Sequence, residues 1–510
     1  MSPVAATRTV PLDQLLGALP EKALLGPMPK EVHGLTDDSR RVTEGCCFVA
    51  VRGLRVDGHR FIPHAVERGA SAIVAEPPDP LPGHALGRIL VPDSRRALPR
   101  LADAYFGHPS RALAVVGVTG TNGKTTTTYL VEALLRARGL ETGIVGTIRY
   151  VIRGAGRDAR QTTPEALELQ GLLAEMVAAG VGGVAMEVSS HALELRRVDG
   201  VAFDVAIFTN LTQDHLDLHG TMERYAQAKA RLFFELLRDG PKPRPTAVLN
   251  ADDPAGAEWA RRLAAELPGR VLTFGLGPAH AVRPRGYTSG LEGIVLDAET
   301  PLGAVRVASP LIGEHNVMNL LGAVAAGVAL ELRPDAIGAA LAGVQTVPGR
   351  FERVDAGQEF LVVVDYAHTP DALRRVLETA RRLTPRRLGV VFGAGGDRDR
   401  KKRPIMGRIA AELADRVWLT SDNPRSENPR AIIDEIAAGV VPPPPEGYTV
   451  FPDRREAIRD ALAWGRAGDV LVIAGKGHET YQIVGDQVLP FDDRQVAREI
   501  LTTLKPERRG

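Results

Sequence analysis

The sequence predicts an α/β protein of three domains, and two observations predict it. Short apolar runs rich in β-branched residues alternate with helical patterns through the central and last thirds of the chain, which gives a βαβ rhythm. The chain has 510 residues, too many for one hydrophobic core when a domain takes about 150. We expect a doubly wound central domain with a phosphate-binding loop and a Rossmann-like last domain.

Domain boundaries are expected where glycine and proline cluster. Gly107-His108-Pro109-Ser110 ends a first domain at residues 1–109. Val347-Pro348-Gly349-Arg350 separates a central domain, 110–347, from a last domain, 348–510. The proline runs in Glu76–Gly83 and Val441–Pro445 are expected to form loops within domains.

Continuous apolar runs of three to five residues are typical of parallel strands that helices cover on both faces. The predicted strands are Ala114–Val118, Gly183–Met186, Val205–Phe208, Ala247–Leu249, Leu361–Val364, Leu388–Phe392, Val417–Leu419 and Val470–Ile473. Helices are predicted between them, for example at Thr126–Arg138 and Pro164–Ala179.

Composition excludes several classes of function. With 63 basic and 62 acidic residues and only 5% aromatics, nothing indicates nucleic acid or an anionic membrane as a partner. The two cysteines, Cys46 and Cys47, are adjacent, so neither a disulfide framework nor a zinc site is expected. No signal peptide and no membrane-spanning stretch is predicted, so we expect a cytoplasmic protein and, as the simplest state, a monomer.

A glycine-rich loop follows the first predicted strand of the central domain. Thr119-Gly120-Thr121-Asn122-Gly123-Lys124-Thr125-Thr126 leads from that strand into a helix. Glycines let backbone N–H groups approach phosphate oxygens, and the helix N-terminus favours negative charge. We expect Lys124 to reach the terminal phosphates and the Thr125 hydroxyl to bind Mg²⁺, although Val118 stands where a P-loop has its first glycine.

Polar groups follow the carboxyl ends of seven predicted strands, which is the edge where open α/β sheets bind ligands. They are Gly120–Thr125, Glu187–His191, Asn210–His215, Asp365–His368, Gly395–Arg400, Asp422–Arg425 and Gly475–Glu479. A divalent ion needs oxygen ligands besides Thr125, and Glu187 and the Asn210–Asp217 stretch are candidates.

Six motifs occur in order over most of the chain: Gly120-Thr121-Asn122-Gly123-Lys124-Thr125, Met186-Glu187-Val188-Ser189-Ser190-His191, Asn210-Leu211-Thr212-Gln213-Asp214-His215-Leu216-Asp217, Gly313-Glu314-His315-Asn316, Pro348-Gly349-Arg350 and Asp365-Tyr366-Ala367-His368-Thr369-Pro370. Together they resemble the Mur ligases, the ATP-dependent amino-acid ligases of peptidoglycan synthesis. Thr36–Arg40 and Gly475–Glu479 resemble the members that add the third residue to UDP-N-acetylmuramoyl-L-alanyl-D-glutamate.

The resemblance implies that the first domain holds the UDP-sugar, the central domain ATP and the last domain the amino acid. ATP contacts are implied for Gly120, Thr121, Asn122, Gly123, Lys124, Thr125, Thr126, Asn316, Arg350 and Asp365. Mg²⁺ ligands are implied at Thr125, Glu187 and His215, and catalytic roles for Lys124, His215 and Lys229, the last as N6-carboxylysine. Asp37, Ser39, Leu54–Val56, Thr162, Thr163, Ser189 and Arg197 are implied to hold the UDP-linked substrate, and Leu195 replaces a glutamine common in the family.

The amino-acid pocket implied by the resemblance comprises Arg398, Asp422, Asn423, Pro424, Arg425, Gly475 and Glu479. Asp422-Asn423-Pro424-Arg425 resembles the motif of ligases that use meso-diaminopimelate. A guanidinium pairs with the distal carboxylate of that substrate, whereas lysine has no carboxylate there. Lysine or ornithine stays open as the amino acid.

The expected reaction passes through an acyl phosphate, with Lys124 and Mg²⁺ offsetting the charge that develops on the phosphates. Three alternatives stay open: a folate polyglutamate ligase, a P-loop kinase and a nucleotide-sensing module. A P-loop kinase rarely needs a second α/β domain with its own Asp/Arg cluster. A nucleotide sensor would not require Glu187, Asp214 and His215, which form a catalytic metal set. Phosphate release that depends on an added amino acid distinguishes a ligase from both.

Overall fold

The computed structural model describes residues 8–53, 56–384 and 386–504, in which the chain forms two compact units. The first unit runs to residue 283 and includes 299–304 and 321–340. The second takes in 284–298, 305–320 and the chain from 341 onwards. Leu54 and Arg55, in the Leu54–Val56 loop expected to contact uridine, lie outside the described residues.

An eight-stranded sheet forms the centre of the first unit. Its spatial order is Ala155–Asp158, Arg149–Ile152, Thr142–Val145, Gly183–Glu187, Ala114–Thr119, Val205–Phe208, Thr246–Asn250 and Val271–Phe274. Six strands, from Thr142–Val145 to Val271–Phe274, are parallel, and the first two add antiparallel at one edge. The four strands predicted for this region are confirmed, as is a doubly wound central sheet.

Two of these strands continue one residue beyond the predicted apolar run, into polar residues. Glu187 pairs in register with Val118, and Thr119 pairs with Phe208. Both polar side chains are buried. Backbone pairing does not depend on side-chain polarity, so the strands include these polar residues instead of ending before them. Their side chains therefore lie at the carboxyl edge of the sheet.

A second, five-stranded sheet in the first unit was not predicted. Its order is Ala23–Leu25, Gly87–Leu90, Ala72–Ala75, Cys47–Val49 and Leu35–Thr36, parallel except for the first strand. The edge strand Leu35–Thr36 leads into a 3₁₀ turn at Ser39–Arg41, in which the Arg40 backbone N–H donates to the Asp38 side chain. Val10–Pro11 and Glu31–Val32 form a separate antiparallel pair.

Helices cover the sheets of the first unit. They are Leu12–Gly17, Ile62–Glu67, Ser94–Tyr105, Lys124–Ala137, Ala166–Ala178, Ser190–Glu194, Leu216–His219, Met222–Arg231 with its π-helical continuation Leu232–Leu237, and Pro254–Glu266. Short 3₁₀ segments lie at Gly58–Phe61 and Pro109–Ala112. Two further helices, His315–Ala329 and Pro334–Ala342, follow the three-stranded sheet formed by Arg283–Gly290, Gly293–Thr300 and Gly303–Ser309.

The second unit is built on a six-stranded sheet. Its order is Glu352–Arg353, Leu361–Asp365, Val470–Ala474, Leu388–Phe392, Arg416–Thr420 and Tyr448–Phe451, with only the first strand antiparallel. Its helices are Pro370–Leu383, Lys402–Leu413, Pro429–Ala437, Arg454–Trp464 and Asp493–Leu504. The hairpin Tyr481–Val484 and Gln487–Pro490 follows the Val470–Ala474 strand. The predicted Rossmann-like sheet and its four strands are confirmed.

Every helix in the described ranges is too short or too polar to cross a lipid bilayer.

A buried ion pair joins helices and strand ends in the second unit. Arg454 and Asp493 have fully buried side chains and pair through two contacts of 2.7 Å, from Nε to Oδ1 and from Nη2 to Oδ2. The remaining Arg454 donors reach the carbonyls of Ser421, at 3.3 Å, and Ala474, at 2.9 Å. These carbonyls end two strands of the sheet, so the pair fixes the start of the loops that follow.

Replacing Arg454 by Met leaves the Asp493 carboxylate buried without its partner, which is expected to cost about 3–5 kcal/mol in the free energy of unfolding. Urea unfolding followed by the fluorescence of Trp418 and Trp464, both in the second unit, measures the loss. The matched control is R430M, because Arg430 pairs with Asp434 at 3.0 Å with both side chains about 60% exposed. That change is expected to cost less than about 1 kcal/mol, and equal losses in the two variants would contradict the assignment.

Candidate functional site

The glycine-rich loop of the first unit ends in a helix N-terminus. Gly120 and Gly123 have φ angles of +148° and +84°, and Gly123 is the N-cap of the helix Lys124–Ala137. A Cβ on Gly120 would lie 1.9 Å from Thr209 Oγ1, so only glycine fits there. Thr126 lies buried in the first turn. The loop therefore has the positive-φ glycines and the partly buried helix N-terminus that an anion site can use.

The loop is held from the neighbouring strand end. The Thr121 and Asn122 backbone N–H groups donate to the Asn210 carbonyl, at 2.8 Å, and to the Asn210 side-chain oxygen, at 3.0 Å. The Thr121 hydroxyl lies 3.1 Å from the Tyr225 hydroxyl. Asn210 follows Val205–Phe208, so the strands 114–119 and 205–208 present their loops together.

Two lysines donate to the same backbone carbonyl. Lys124 Nζ lies 3.0 Å from the Gly120 carbonyl and 2.8 Å from that of Thr121. Lys229 Nζ lies 2.8 Å from the Gly120 carbonyl and 4.5 Å above the Tyr225 ring. Lys229 is 1% exposed, so it is not a surface lysine of its helix. Burial first, and then the charge of Lys124, holds the pKa of Lys229 well below its ordinary value.

Glu187 is the buried carboxylate nearest to the loop. Its Oε2 accepts from the hydroxyls of Thr125, at 3.1 Å, and Thr147, at 3.0 Å, and its Oε1 accepts from the Thr147 backbone N–H at 2.8 Å. Thr147 follows the strand Thr142–Val145, and the sequence analysis missed it because one threonine after a strand is no motif. Thr125 and Glu187 thus place a hydroxyl and a carboxylate oxygen side by side.

His215 lies in a loop beside other rings. It has a φ of +53°, its ring centroid lies 4.8 Å from that of His191, and its Nε2 lies 3.4 Å from Asp214 Oδ2. Desolvation lowers the pKa of His215 to about 4 even though 43% of its side chain is exposed, so the imidazole is neutral at neutral pH. A neutral imidazole can serve as a metal ligand.

The oxygens beside the glycine-rich loop suit Mg²⁺. No group of three His, Cys, Asp or Glu side chains forms a ready-made metal site within the ranges that the structure covers. Mg²⁺ nevertheless binds through one or two protein oxygens, with water and substrate phosphates completing its octahedron. The adjacent Thr125 and Glu187 oxygens at the phosphate loop fit that requirement.

Residues predicted for the UDP-linked substrate surround the same strand end. The Thr163 hydroxyl donates to the Glu187 carbonyl at 2.9 Å and lies 3.3 Å from Ser189 Oγ, which caps the helix Ser190–Glu194. Thr162 Oγ1 lies 3.0 Å from Thr147 Oγ1. Arg197 donates to the Thr163 carbonyl at 3.2 Å. The four predicted residues 162, 163, 189 and 197 are therefore brought together.

Asp37 and Arg197 line one cavity of about 280 Å³ in the first unit. Glu165, Leu195 and Arg196 line it too. Asp37 is exposed, whereas Ser39 is buried with its hydroxyl 3.0 Å from His64 Nδ1. The cavity adjoins the short strand Leu35–Thr36, and its arginines suit an anionic ligand.

The second unit contains three residues predicted to contact nucleotide. Asp365, at the end of its strand, accepts the backbone N–H groups of Phe351, at 2.7 Å, and Ala367, at 2.8 Å, and burial raises its pKa. Arg350 lies 4.7 Å above the Tyr366 ring. Asn316 is buried, and its side chain donates to the Ile312 carbonyl at 2.8 Å.

The predicted amino-acid residues converge at one edge of the six-stranded sheet. Asn423 Nδ2 donates to Glu479 Oε2 at 2.9 Å, which links the loops after Arg416–Thr420 and Val470–Ala474, the two strands on either side of Leu388–Phe392. Asp422, Asn423 and Pro424 are buried. Gly475 has a φ of +116°, and a Cβ there would lie 2.7 Å from Asp422 Oδ2. The close approach of these loops therefore depends on that glycine.

Two arginines flank this edge. Arg425 Nη1 donates to the Gly396 carbonyl at 2.8 Å, and Arg398 is exposed in the neighbouring loop. A Cβ on Gly395 would lie 2.9 Å from Arg425 Nη1 and 3.7 Å from Arg398 Cγ, so both arginines border the same small space. Carboxylates and guanidiniums thus occur together, as a zwitterionic ligand with further charges would require.

Three family models match the chain. The Mur ligase family catalytic domain matches residues 31–106, the Mur ligase middle domain 118–327, and the Mur ligase glutamate ligase domain 349–477.

Similar proteins extend over nearly the whole chain. A UDP-N-acetylmuramoyl-L-alanyl-D-glutamate–2,6-diaminopimelate ligase of Geobacter metallireducens is 47% identical over 95% of this chain and 97% of its own. The protein of the same name from Gloeobacter violaceus is 50% identical over 92% and 94%. A solved structure of a ligase with that name has a TM-score of 0.67 at 33% identity, over 93% and 95%. Folylpolyglutamate synthase of Mycobacterium tuberculosis shares the fold alone, with a TM-score of 0.61 at 21% identity over 80% of this chain and 95% of its own.

Substituting Gly120 by Ala is expected to lower the free energy of unfolding by about 1–2 kcal/mol for the positive φ, and by a further 1–3 kcal/mol for the clash with Thr209. Gly139→Ala is the matched control, because Gly139 has a φ of +81° with open space around its Cβ position. Chemical unfolding of both variants measures the difference. If G120A costs no more than G139A, the close approach of Gly120 to the next strand end is contradicted.

Proposed function

The chain belongs to the Mur ligase family, and we propose that it joins meso-diaminopimelate to the γ-carboxylate of the D-glutamyl residue in UDP-N-acetylmuramoyl-L-alanyl-D-glutamate. ATP is cleaved to ADP and phosphate in the reaction. The observation that carries the proposal is the 45–50% identity to ligases named for these substrates over at least 92% of this chain and 94% of theirs. That span includes the residues at both sheet edges. Such a ligase contributes to peptidoglycan synthesis, and so to cell shape and division, in the cytoplasm.

ATP is proposed to bind at the glycine-rich loop, from Gly120 to Thr126. Backbone N–H groups and the helix N-terminus would receive the phosphates, and Lys124 would exchange its carbonyl partners for the terminal phosphate oxygens. Thr125 and Glu187, with His215 beyond them, would hold Mg²⁺. When bound, the ion offsets charge on the phosphates. Asn316, Arg350 and Asp365 are the further nucleotide contacts proposed in the second unit.

The reaction needs no protein nucleophile. The γ-carboxylate of the substrate attacks the γ-phosphorus of ATP, the bond to the β-phosphate oxygen breaks, and an acyl phosphate and ADP result. The neutral amine of the amino acid then attacks the acyl carbon, phosphate leaves, and the amine proton is lost to solvent. Lys124 stabilises charge during the first step, and Thr162, Thr163, Ser189 and Arg197 hold the peptide that carries the carboxylate.

Lys229 is proposed to be carboxylated at Nζ. Burial lowers the pKa of its amine, which favours the neutral form that adds CO₂ to give a carbamate and a released proton. The product is an anion within reach of Lys124, since both amines donate to the Gly120 carbonyl. A carboxylated Lys229 would add an oxygen ligand beside the Thr125 and Glu187 pair, which has few other acidic neighbours.

The amino-acid pocket is proposed to discriminate by charge. Arg425 and Arg398 would pair with carboxylates, and Asp422 and Glu479 would accept the ammonium groups. Meso-diaminopimelate offers a carboxylate at each end, whereas lysine and ornithine offer one. A distal carboxylate opposite Arg425 therefore favours diaminopimelate. A folate polyglutamate ligase is less well supported, because its likeness to this chain is 20–21% and leaves a fifth of the chain uncovered.

The first test is phosphate release from ATP with the UDP-linked dipeptide and one of three amines. Phosphate is expected with meso-diaminopimelate, and at least about a hundredfold less with lysine or ornithine at equal concentration, because the Arg425 guanidinium then lacks its carboxylate. Omitting the amine serves as the control for uncoupled hydrolysis. Turnover with lysine would overturn the pocket assignment but keep the ligase, and no turnover with any amine would overturn the proposed function.

The second test concerns Lys229. With ¹³C-bicarbonate, wild-type protein is expected to give a carbamate carbon resonance that K229R lacks, because a guanidinium does not add CO₂. K401M is the matched lysine control, since Lys401 is exposed, and it is expected to keep the resonance. Activity of K229R is expected to fall by at least about a hundredfold. A resonance that persists in K229R would contradict the modification at this residue.

A further inference from the structure

Lys476 is a fully buried lysine inside the proposed amino-acid pocket, and none of the roles described so far uses it. Its side chain is 0% exposed. Nζ lies 3.0 Å from Glu479 Oε2, 3.2 Å from Asn423 Oδ1 and 3.9 Å from Asp422 Oδ1. It also lies 5.6 Å above the Tyr481 ring. The ammonium is thus surrounded by residues proposed to recognise the substrate.

These contacts fix the orientation of the Asn423 amide. Its Oδ1 accepts from Lys476 Nζ and, at 3.0 Å, from the Ile483 backbone N–H. Its Nδ2 therefore faces the other way and donates to Glu479 Oε2 at 2.9 Å. Two donors on Oε2 leave Glu479 Oε1 as the oxygen with no hydrogen-bond partner among the described residues.

The hairpin after Lys476 reinforces the same arrangement. Gln482 Nε2 donates to the Asp422 carbonyl at 2.7 Å. Arg425 N–H donates to the Ile483 carbonyl at 3.1 Å, and its own carbonyl accepts from Gly485 N–H at 2.8 Å. The backbone of the Asp422–Arg425 loop is therefore held from the hairpin, and Lys476 holds its side chains.

The charges around Asp422 and Glu479 indicate where an ammonium group of the substrate binds. Asp422 and Glu479 bring two carboxylates close to the Lys476 ammonium. Asp422 also interacts electrostatically with Lys402 and with Arg454, which is itself paired with Asp493. Glu479 forms its ion pair with Lys476 through Oε2, so its Oε1 is the oxygen that can accept an incoming ammonium group. Without Lys476, Glu479 Oε2 would keep only the Asn423 donor, and the buried Asp422 carboxylate would lose a nearby ammonium.

We propose that Lys476 is a positioning residue for the amino-acid substrate. Its Nζ donates to Glu479 Oε2 and to Asn423 Oδ1. Glu479 Oε1 is therefore directed to an ammonium group of the diamino acid. This inference rests on the proposed function and assigns Lys476 a role through Glu479 instead of direct contact with the substrate. If Lys476 only neutralised buried charge, its loss would weaken the fold and change the KM values of all three substrates alike.

The test is steady-state kinetics of K476M with each substrate varied in turn. The KM for meso-diaminopimelate is expected to rise at least about tenfold, while the KM values for ATP and the UDP-linked dipeptide stay within about twofold. K401M, the same change at an exposed lysine, is expected to keep all three values. Equal rises in all three KM values would overturn the proposal. If K476M fails to fold, the same KM values are measured for K476R. That variant keeps the positive charge but moves the N–H donors away from their positions beside Glu479 and Asn423.

A double-mutant cycle with Glu479→Gln separates positioning from structural support. If Lys476 acts through Glu479, adding K476M to E479Q raises the KM for the diamino acid by less than about threefold. If the rise in this KM for the double variant equals the product of the rises for the two single variants, the proposal is overturned. Absence of turnover in the wild type would instead refute the proposed function, so the two failures are distinguishable.

Discussion

Both candidate sites depend on hydrogen bonds that buried lysine and arginine side chains donate to the loops at strand ends. The four least exposed basic side chains in the described part of the chain are Lys229, Arg403, Arg454 and Lys476. Each is bonded to a loop that follows a parallel strand: Lys229 to Gly120, Arg403 to Gly395, Arg454 to Ser421 and to Ala474 itself, and Lys476 to Asn423. A buried charge is tolerated only with such partners, so loop and cation hold each other in place.

The identity of each cation matters as much as its position. Arg403 and Arg454 stay charged at any pH and use their planar forks on carboxylates, Glu427 and Asp493. Lys229 has no carboxylate partner among the described contacts and is driven toward the neutral amine. The arginines are therefore suited to fix loops, whereas Lys229 retains chemical reactivity. A guanidinium in its place would be a permanent charge beside Lys124.

How far the sequence predicted this structure depends on the range of the interactions. Apolar runs such as Leu388–Phe392 predicted strands because periodicity and burial are local properties. The five-stranded sheet of the first unit was not predicted, because its edge strand Leu35–Thr36 has only two residues and shows no periodicity. Glycine motifs and Glu187 pointed to the sheet edges.

The pairing partners of the buried cations could not be read from the sequence. Arg454 and Asp493 are 39 residues apart, and Lys476 meets Asn423 across 53. Lys476 stands within the Gly475–Glu479 motif, so the sequence marked the segment without showing which member is buried. Burial and partner choice arise only when elements that are distant in sequence come together in the fold.

Backbone strain occurs at a residue of each candidate site, Arg425 in one and His215 in the other. Arg425, a non-glycine residue, has a φ of +53°, a conformation that costs roughly 1–2 kcal/mol for a side chain with a Cβ. The two hydrogen bonds of its backbone to the hairpin at Ile483 and Gly485 offset that cost and keep its guanidinium beside Gly396. His215 in the first unit has the same φ of +53°. A fold could relieve such strain with glycine or asparagine, so its retention at Arg425 argues that the side chain, and not the turn, is what this position requires.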